Sequence, residues 1–203
     1  MNQIELLSDV YQIKLEPLTQ AHFVALKQVC EEGDLSQDIF NSVPYPNQLQ
    51  AYISAALEQQ QQGSRLAFVV VDLKNNEIIG TTSFHDIQAK IPRYEIGYTW
   101  YAKRFQRSYV NRVCKYLLLC YAFEQVHAKV VGFRTDHLNL MSQKAIQALG
   151  AKHDGILRAH MLRKDGTLRD TYIYSILDVE WPAVKKQLEH KILKYSDQKE
   201  FQI

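Results

Sequence analysis

The order of elements in residues 93–135 constrains this chain most. Residues 93–101 read as a strand. Residues 109–126 place Val110, Cys114, Leu117, Leu118 and Tyr121 along one helical stripe, and residues 129–135 read as a strand again. Two strands joined by a long helix pair in parallel through a right-handed crossover.

What precedes this unit is of another kind. Residues 10–18 alternate toward an opening strand, and Thr19 is placed to cap a helix carrying Phe23, Leu26, Val29 and Cys30. After Pro44-Tyr45-Pro46, Asn47 is placed to cap a second helix that stops at Gly63. Residues 66–73 and 78–87 form a hairpin about the Asn75-Asn76 turn, with Gly80 marking a bulge or a close approach of main chains. After the crossover, residues 139–149 are helical and end at Gly150, and residues 151–162 and 168–179 flank a Lys164-Asp165-Gly166 turn. Trp181-Pro182 opens a last helix to about Tyr195, followed by a short polar tail. The expected fold class is α/β: a mixed, mostly antiparallel sheet with one parallel crossover and flanking helices. It forms a single domain over 1–203, with a core of about 10–181 and a C-terminal helix of about 181–195.

Composition excludes several classes of function. With 24 basic and 22 acidic side chains, a net charge of +2 lacks the bias of a dedicated nucleic-acid binder. The longest apolar run, residues 66–71, falls far short of the ~20 residues of a membrane span. Three cysteines without CxxC spacing suggest neither a disulfide framework nor zinc, and no signal peptide is evident at the N-terminus. A reducing cytoplasm fits this, with no nucleic acid, membrane or metal partner expected. The oligomeric state, a homodimer included, is left open.

One stretch is chemically conspicuous. Lys103, Arg104, Arg107 and Arg112 surround the start of the long helix. A helix N-terminus carries about half a positive charge, so cations there cost roughly 0.3–1 kcal/mol each. A bound polyanion reverses that penalty; a solvated basic loop is the plainer alternative.

Other residues bear on the choice. Glu95-Ile96-Gly97-Tyr98, the loop from Gln106 to Asn111, Tyr121-Ala122-Phe123-Glu124, and Asn139 through Ser142 to Leu149-Gly150 resemble, in order and spacing, the GNAT acetyltransferases. Gly155-Ile156-Leu157-Arg158 and Gly166-Thr167-Leu168-Arg169-Asp170 resemble their Rim-type branch, which acetylates protein N-terminal amines. The resemblance implies an N-acetyltransferase using acetyl-CoA as donor and a primary amine as acceptor. It implies coenzyme contacts at Tyr98, Thr99, Trp100, Gln106, Arg107, Ser108, Tyr109, Val110, Asn111, Asn139 and Ser142. Tyr109 and Asn111 stand where the family usually has small residues, glycine foremost. Either the loop binds coenzyme in modified form, helped by Arg104, Arg107 or Arg112, or the site is degenerate.

Glu95 is the candidate general base. Ser142 is the candidate acid, because the usual tyrosine slot holds Ile146. Each has a plainer role too, Glu95 in a surface ion pair and Ser142 as a first-turn serine. Tyr45, His85 and Arg158 are candidate substrate contacts, with Arg158 alternatively pairing with Asp170. A small-amine acetyltransferase and an inactive CoA-binding module are the competing functions.

Overall fold

The computed structural model describes residues 4–200, with side chains through Leu193. Eight strands form one sheet in the order β1-β2-β3-β4-β5-β6-β8-β7. They are β1 (Leu6–Ser8), β2 (Ile13–Pro17), β3 (Leu66–Asp72), β4 (Glu77–Gln88), β5 (Arg93–Tyr101), β6 (Val130–Asp136), β7 (Lys152–Leu162) and β8 (Leu168–Leu177). All neighbours pair antiparallel except β5 and β6, which are parallel as the crossover requires. The helices are α1 (Phe23–Glu31), α2 (Leu49–Gln61), α3 (Val110–Cys120), α4 (Leu140–Ala148) and α5 (Trp181–Glu200).

Each face of the sheet carries its own core. Ala67, Val69, Val71 and Trp100 pack under α1 and α2 with Leu26, Leu49 and Ile53. Phe68, Val70, Phe84, Ile96, Val131 and Phe133 pack on the other face with Cys114 and Leu118 of α3, Ile146 of α4 and Leu188 of α5. Burying both faces makes the central strands near-continuous apolar runs.

The structure departs from the sequence reading in several places. Residues 10–18 hold one strand, but it is the second arm of a hairpin whose first arm is β1, across a turn where Gln12 adopts φ 54°. Three residues are too few for an alternation pattern. Asn47 lies inside a 3-10 turn, Pro46–Gln48, ahead of α2. Gly80 serves both expected purposes. Ile79 is the extra residue between the Val70–Gly80 and Val71–Ile78 pairs, and a Cβ on Gly80 would lie 2.1 Å from the Trp100 carbonyl oxygen. The long helix is α up to Cys120 and π over Tyr121–Gln125. The last helix continues to Glu200, past the expected end at Tyr195, and the rest of the polar tail lies outside the described residues.

Candidate active site

The parallel pair is short. Arg93, Tyr94 and Glu95 pair with Val130, Val131 and Gly132, and there the pairing stops. Beyond it β5 stays with β4 as far as Tyr101, and β6 stays with β8 as far as Asp136. A wedge therefore opens between β5 and β6, with strand main chain on both sides that pairs across it no further. Such main-chain groups need partners, and an extended ligand rich in amides can supply them.

At the vertex β5 is bulged. Ser83 pairs with Gly97 and Thr81 with Trp100, so Thr82 faces both Tyr98 and Thr99, and Tyr98 adopts φ 50°. Thr81 Oγ1 donates to the Tyr98 carbonyl (2.9 Å) and Thr99 Oγ1 to the Gly97 carbonyl (3.2 Å). The Tyr98 ring lies on the α2 face, edge-on to His85 (5.1 Å between centroids), with the Arg65 guanidinium 3.7 Å from its centre. Arg65 is only 2% exposed, and its hydrogen bonds run to Ser83, Gln59 and the Tyr52 hydroxyl. Trp100 is buried beside Tyr52, and its indole N–H has no partner among the described residues.

The start of α3 lies in the loop that follows β5. Tyr109 takes an ordinary helical conformation (φ −68°), and Arg107 (φ 58°) is the residue in the left-handed region. The backbone therefore does not demand glycine at 109. The Tyr109 ring packs on Tyr11 (5.9 Å between centroids) beside the β1–β2 turn. Ser108 Oγ donates to the Phe105 carbonyl and accepts the Val110 N–H. Asn111 Oδ1 accepts from the Tyr101 hydroxyl, and Gln106 donates to the Tyr101 carbonyl. The four cations have separate fates. Arg104 is committed to Glu32 and Glu77, and Arg112 donates to the Lys191 carbonyl. The Lys103 stem lies against Gly33. Arg107 is exposed and shows no ion pair among the described residues.

Glu95, 2% exposed, sits at the vertex. Arg134 of β6 grips it, with Nη2 2.8 Å from Oε1 and Nε 2.7 Å from Oε2, and Arg93 lies 3.7 Å from Oε1. Although Oε2 is within reach of Nε, it accepts no hydrogen bond among the described residues. Gly132 lets these side chains cross β6, since a Cβ there would meet Glu95 Cγ at 3.0 Å. Arg134 also reaches Asp86 (3.0 Å). His85 lies over Gly97, and burial lowers its pKa to about 4, so the imidazole is neutral at pH 7. Ligand atoms of His85, Asp86 and Glu95 lie within 4.8 Å of one another, the spacing of a cation site. Arg134 already stands at both carboxylates in the place of such a cation.

On the far side of the wedge, Asn139 Oδ1 accepts the Ser142 N–H (2.9 Å), capping α4. The Ser142 hydroxyl makes no hydrogen bond among the described residues. A strap closes over this end. Lys164, in the β7–β8 turn, donates to the carbonyls of Ser36 and Asp38 and to Asn41 Oδ1, and lies 5.5 Å from the centre of the Tyr45 ring. Arg163 pairs with buried Asp136 (2.6 Å), holding that carboxyl below its usual range once burial is offset. Tyr45 thus belongs to the strap. Arg158 lies apart on the exposed edge strand β7, and Asp170 accepts the Ala159 amide rather than Arg158.

Sequence reasoning passed over Arg65, Lys115, Arg134 and Lys164. Arg134 carried one signal, a cation on a strand paired with the one that holds Glu95. The others carried none, because their partners are uncharged hydroxyl, amide and carbonyl oxygens that no sequence spacing marks.

A family model described as an acetyltransferase (GNAT) domain matches residues 12–152. The N-acetyltransferase YoaA of Bacillus subtilis is 31% identical over 123 residues, covering 61% of this chain and 67% of that protein. A solved T. thermophilus protein assigned as an acetyltransferase is 33% identical, with a TM-score of 0.78 over 92% of this chain and 96% of its own. A GCN5-related N-acetyltransferase from Brucella melitensis superposes at TM-score 0.84 over 95% and 86% of the two chains; at 23% identity this shows the shared fold. Mycobacterium smegmatis RimJ, solved with CoA-disulfide, shares the fold at 16% identity, TM-score 0.76, over 88% of each chain. Built around a bulged strand that parts from its parallel neighbour, and matched over most of its length by these proteins, the chain is an N-acetyltransferase that belongs to the GNAT acetyltransferase family.

Proposed function

We propose that this enzyme moves an acetyl group from acetyl-CoA to a primary amine, with a protein N-terminal α-amine of the Rim-type substrate class as acceptor. The observation that carries the reading is the wedge itself, which ends at a bulge and a carboxylate. Pantetheine amides pair with the free edges of β5 and β6. The pyrophosphate rests at the α3 N-terminus, where main-chain donors and Arg107, exposed and without an ion pair among the described residues, favour an anion. The loop's Tyr109 does not exclude this, because its ring turns toward Tyr11.

The thioester carbonyl lies at the bulge, and main-chain N–H groups of the Tyr98, Thr99 and Trp100 segment receive the developing oxyanion. An α-amine, with pKa near ~8, is partly neutral at physiological pH and needs only weak base help. Glu95, buried with Arg134 Nε 2.7 Å from Oε2, takes the proton through a water. The Ser142 hydroxyl, without a hydrogen bond among the described residues, donates to the departing thiolate. A polyamine or aminoglycoside acceptor calls for unpaired acids, whereas Asp86 and Glu95 are both matched by Arg134. A cytoplasmic setting completes the reading, consistent with three free cysteines.

The test is mass spectrometry with acetyl-CoA and peptides bearing free or blocked N-termini. Acetylation confined to free N-termini supports the reading. Turnover of small amines alone replaces the acceptor class, and CoA binding without any transfer leaves a coenzyme-binding module.

A further inference from the structure

Lys115 of α3 is 7% exposed and no carboxylate meets it among the described residues. Its Nζ donates to Thr99 Oγ1 (2.5 Å) and Thr82 Oγ1 (3.3 Å). Thr99 spends its single hydroxyl proton on the Gly97 carbonyl (3.2 Å), so Thr82 donates across the 2.8 Å contact between the two threonines. The Thr99 oxygen is thereby saturated, with two donors in and one bond out. The chain Lys115–Thr99–Gly97 ends on the residue ahead of left-handed Tyr98, whose own carbonyl is held from the opposite face by Thr81.

Stability alone does not explain this lysine. Burying an ammonium without a counter-ion is costly, and apolar residues of similar shape in such places are often neutral or stabilising. Methionine would fill the same space. Its Nζ donor instead holds Thr99 by a short hydrogen bond at the point where β5 leaves regular pairing, and left-handed non-glycine backbone persists only where its surroundings over-determine it.

We propose that Lys115 is a positioning residue for acyl transfer: acting through Thr99, it fixes the Gly97–Tyr98 bulge so that the main-chain donors of residues 98–100 stay aligned with the thioester oxygen. The proposal rests on the acyl-transfer reading above. It also makes a statement about the bulge that can be judged without turnover.

The experiment compares wild type with Lys115→Met and with Thr99→Val, which breaks the same chain at its middle. Three quantities are read: acetyl-CoA affinity by calorimetry, kcat and KM for the peptide acceptor, and amide hydrogen exchange across residues 97–101. Both variants are expected to bind acetyl-CoA within about threefold of wild type, to lose at least about tenfold in kcat at little-changed KM, and to exchange faster at the bulge, as expected when a buried hydrogen bond is removed. Unchanged kcat with unchanged bulge exchange in either folded variant overturns the proposal. If wild type transfers acetyl to no amine, the acyl-transfer reading has failed by itself, and bulge exchange still decides whether Lys115 holds the strand.

Discussion

At the Arg93–Glu95 end of β5 each charge meets its opposite: Arg93 and Arg134 face Glu95, and Arg134 also reaches Asp86. Along Tyr98–Tyr101 the pattern reverses. Arg65 presses on Tyr98 from one face and Lys115 on Thr99 from the other, with no carboxylate at either among the described residues. The first arrangement is neutral and closed, a clamp that joins β5 to β6. The second leaves positive potential beside bulged main chain, in a place of low dielectric where it is felt strongly. On the proposed mechanism, negative charge formed during acyl transfer would be stabilised at the second end, and the proton released would be received where the two ends meet.

Substitutions can break this contrast. The largest effect is expected at the paired end. Glu95→Gln leaves Arg93 without its ion pair and Arg134 with Asp86 alone, and should cost about 1–3 kcal/mol in urea denaturation, together with on the order of 100-fold in kcat. Stability lost with kcat intact would make Glu95 a clamp only. Next comes the unpaired end, read through pH. Burial lowers the Lys115 pKa from 10.5 to about 7, and the titratable groups beside it are Cys114, itself pushed up to about 12, and through it Tyr101. The unfolded chain binds the extra proton between these two values. The burial penalty is therefore full below pH 7 and relieved as pH rises, so stability should rise by about 2 kcal/mol between pH 7 and about 9, above which the buried Cys114 thiol, protonated only in the folded chain, offsets the rise. Lys115→Met should flatten the slope, and an unaltered slope would mean that another group supplies it.

Smaller effects test the ends of the wedge. Arg107→Ala removes the exposed cation at the α3 start and should weaken acetyl-CoA binding about tenfold by calorimetry, the size of one charge-assisted bond. The loss should shrink at high salt. Asn139→Ala removes the α4 cap and should cost about 1 kcal/mol in thermal unfolding, with weaker CoA binding if its side chain also touches the pantetheine arm.

Order and type of the elements were legible in the sequence because they rest on periodicity, and the single parallel pair followed from strand–helix–strand order. Bounds were less so. The chain hid β1, too short to alternate, and the π turn at Tyr121, which preserves the helical stripe. At the site, the loop at 106–111 and the Asn139 cap were visible as motifs. At Tyr109 the backbone makes no conformational demand for glycine, because the left-handed residue is Arg107, which only backbone angles reveal. Lys115 escaped notice for a simple reason: a lysine on an amphipathic helix reads as surface. Only the threonines of two other strands show that it is inside.

The most direct measurement is a crystal structure with a non-hydrolysable acetyl-CoA analogue. The account requires pantetheine between β5 and β6, pyrophosphate at the α3 N-terminus beside Arg107, and the acyl oxygen within hydrogen-bonding distance of a main-chain N–H in residues 98–100. An analogue bound elsewhere, or an acyl oxygen turned away from the bulge, would contradict it.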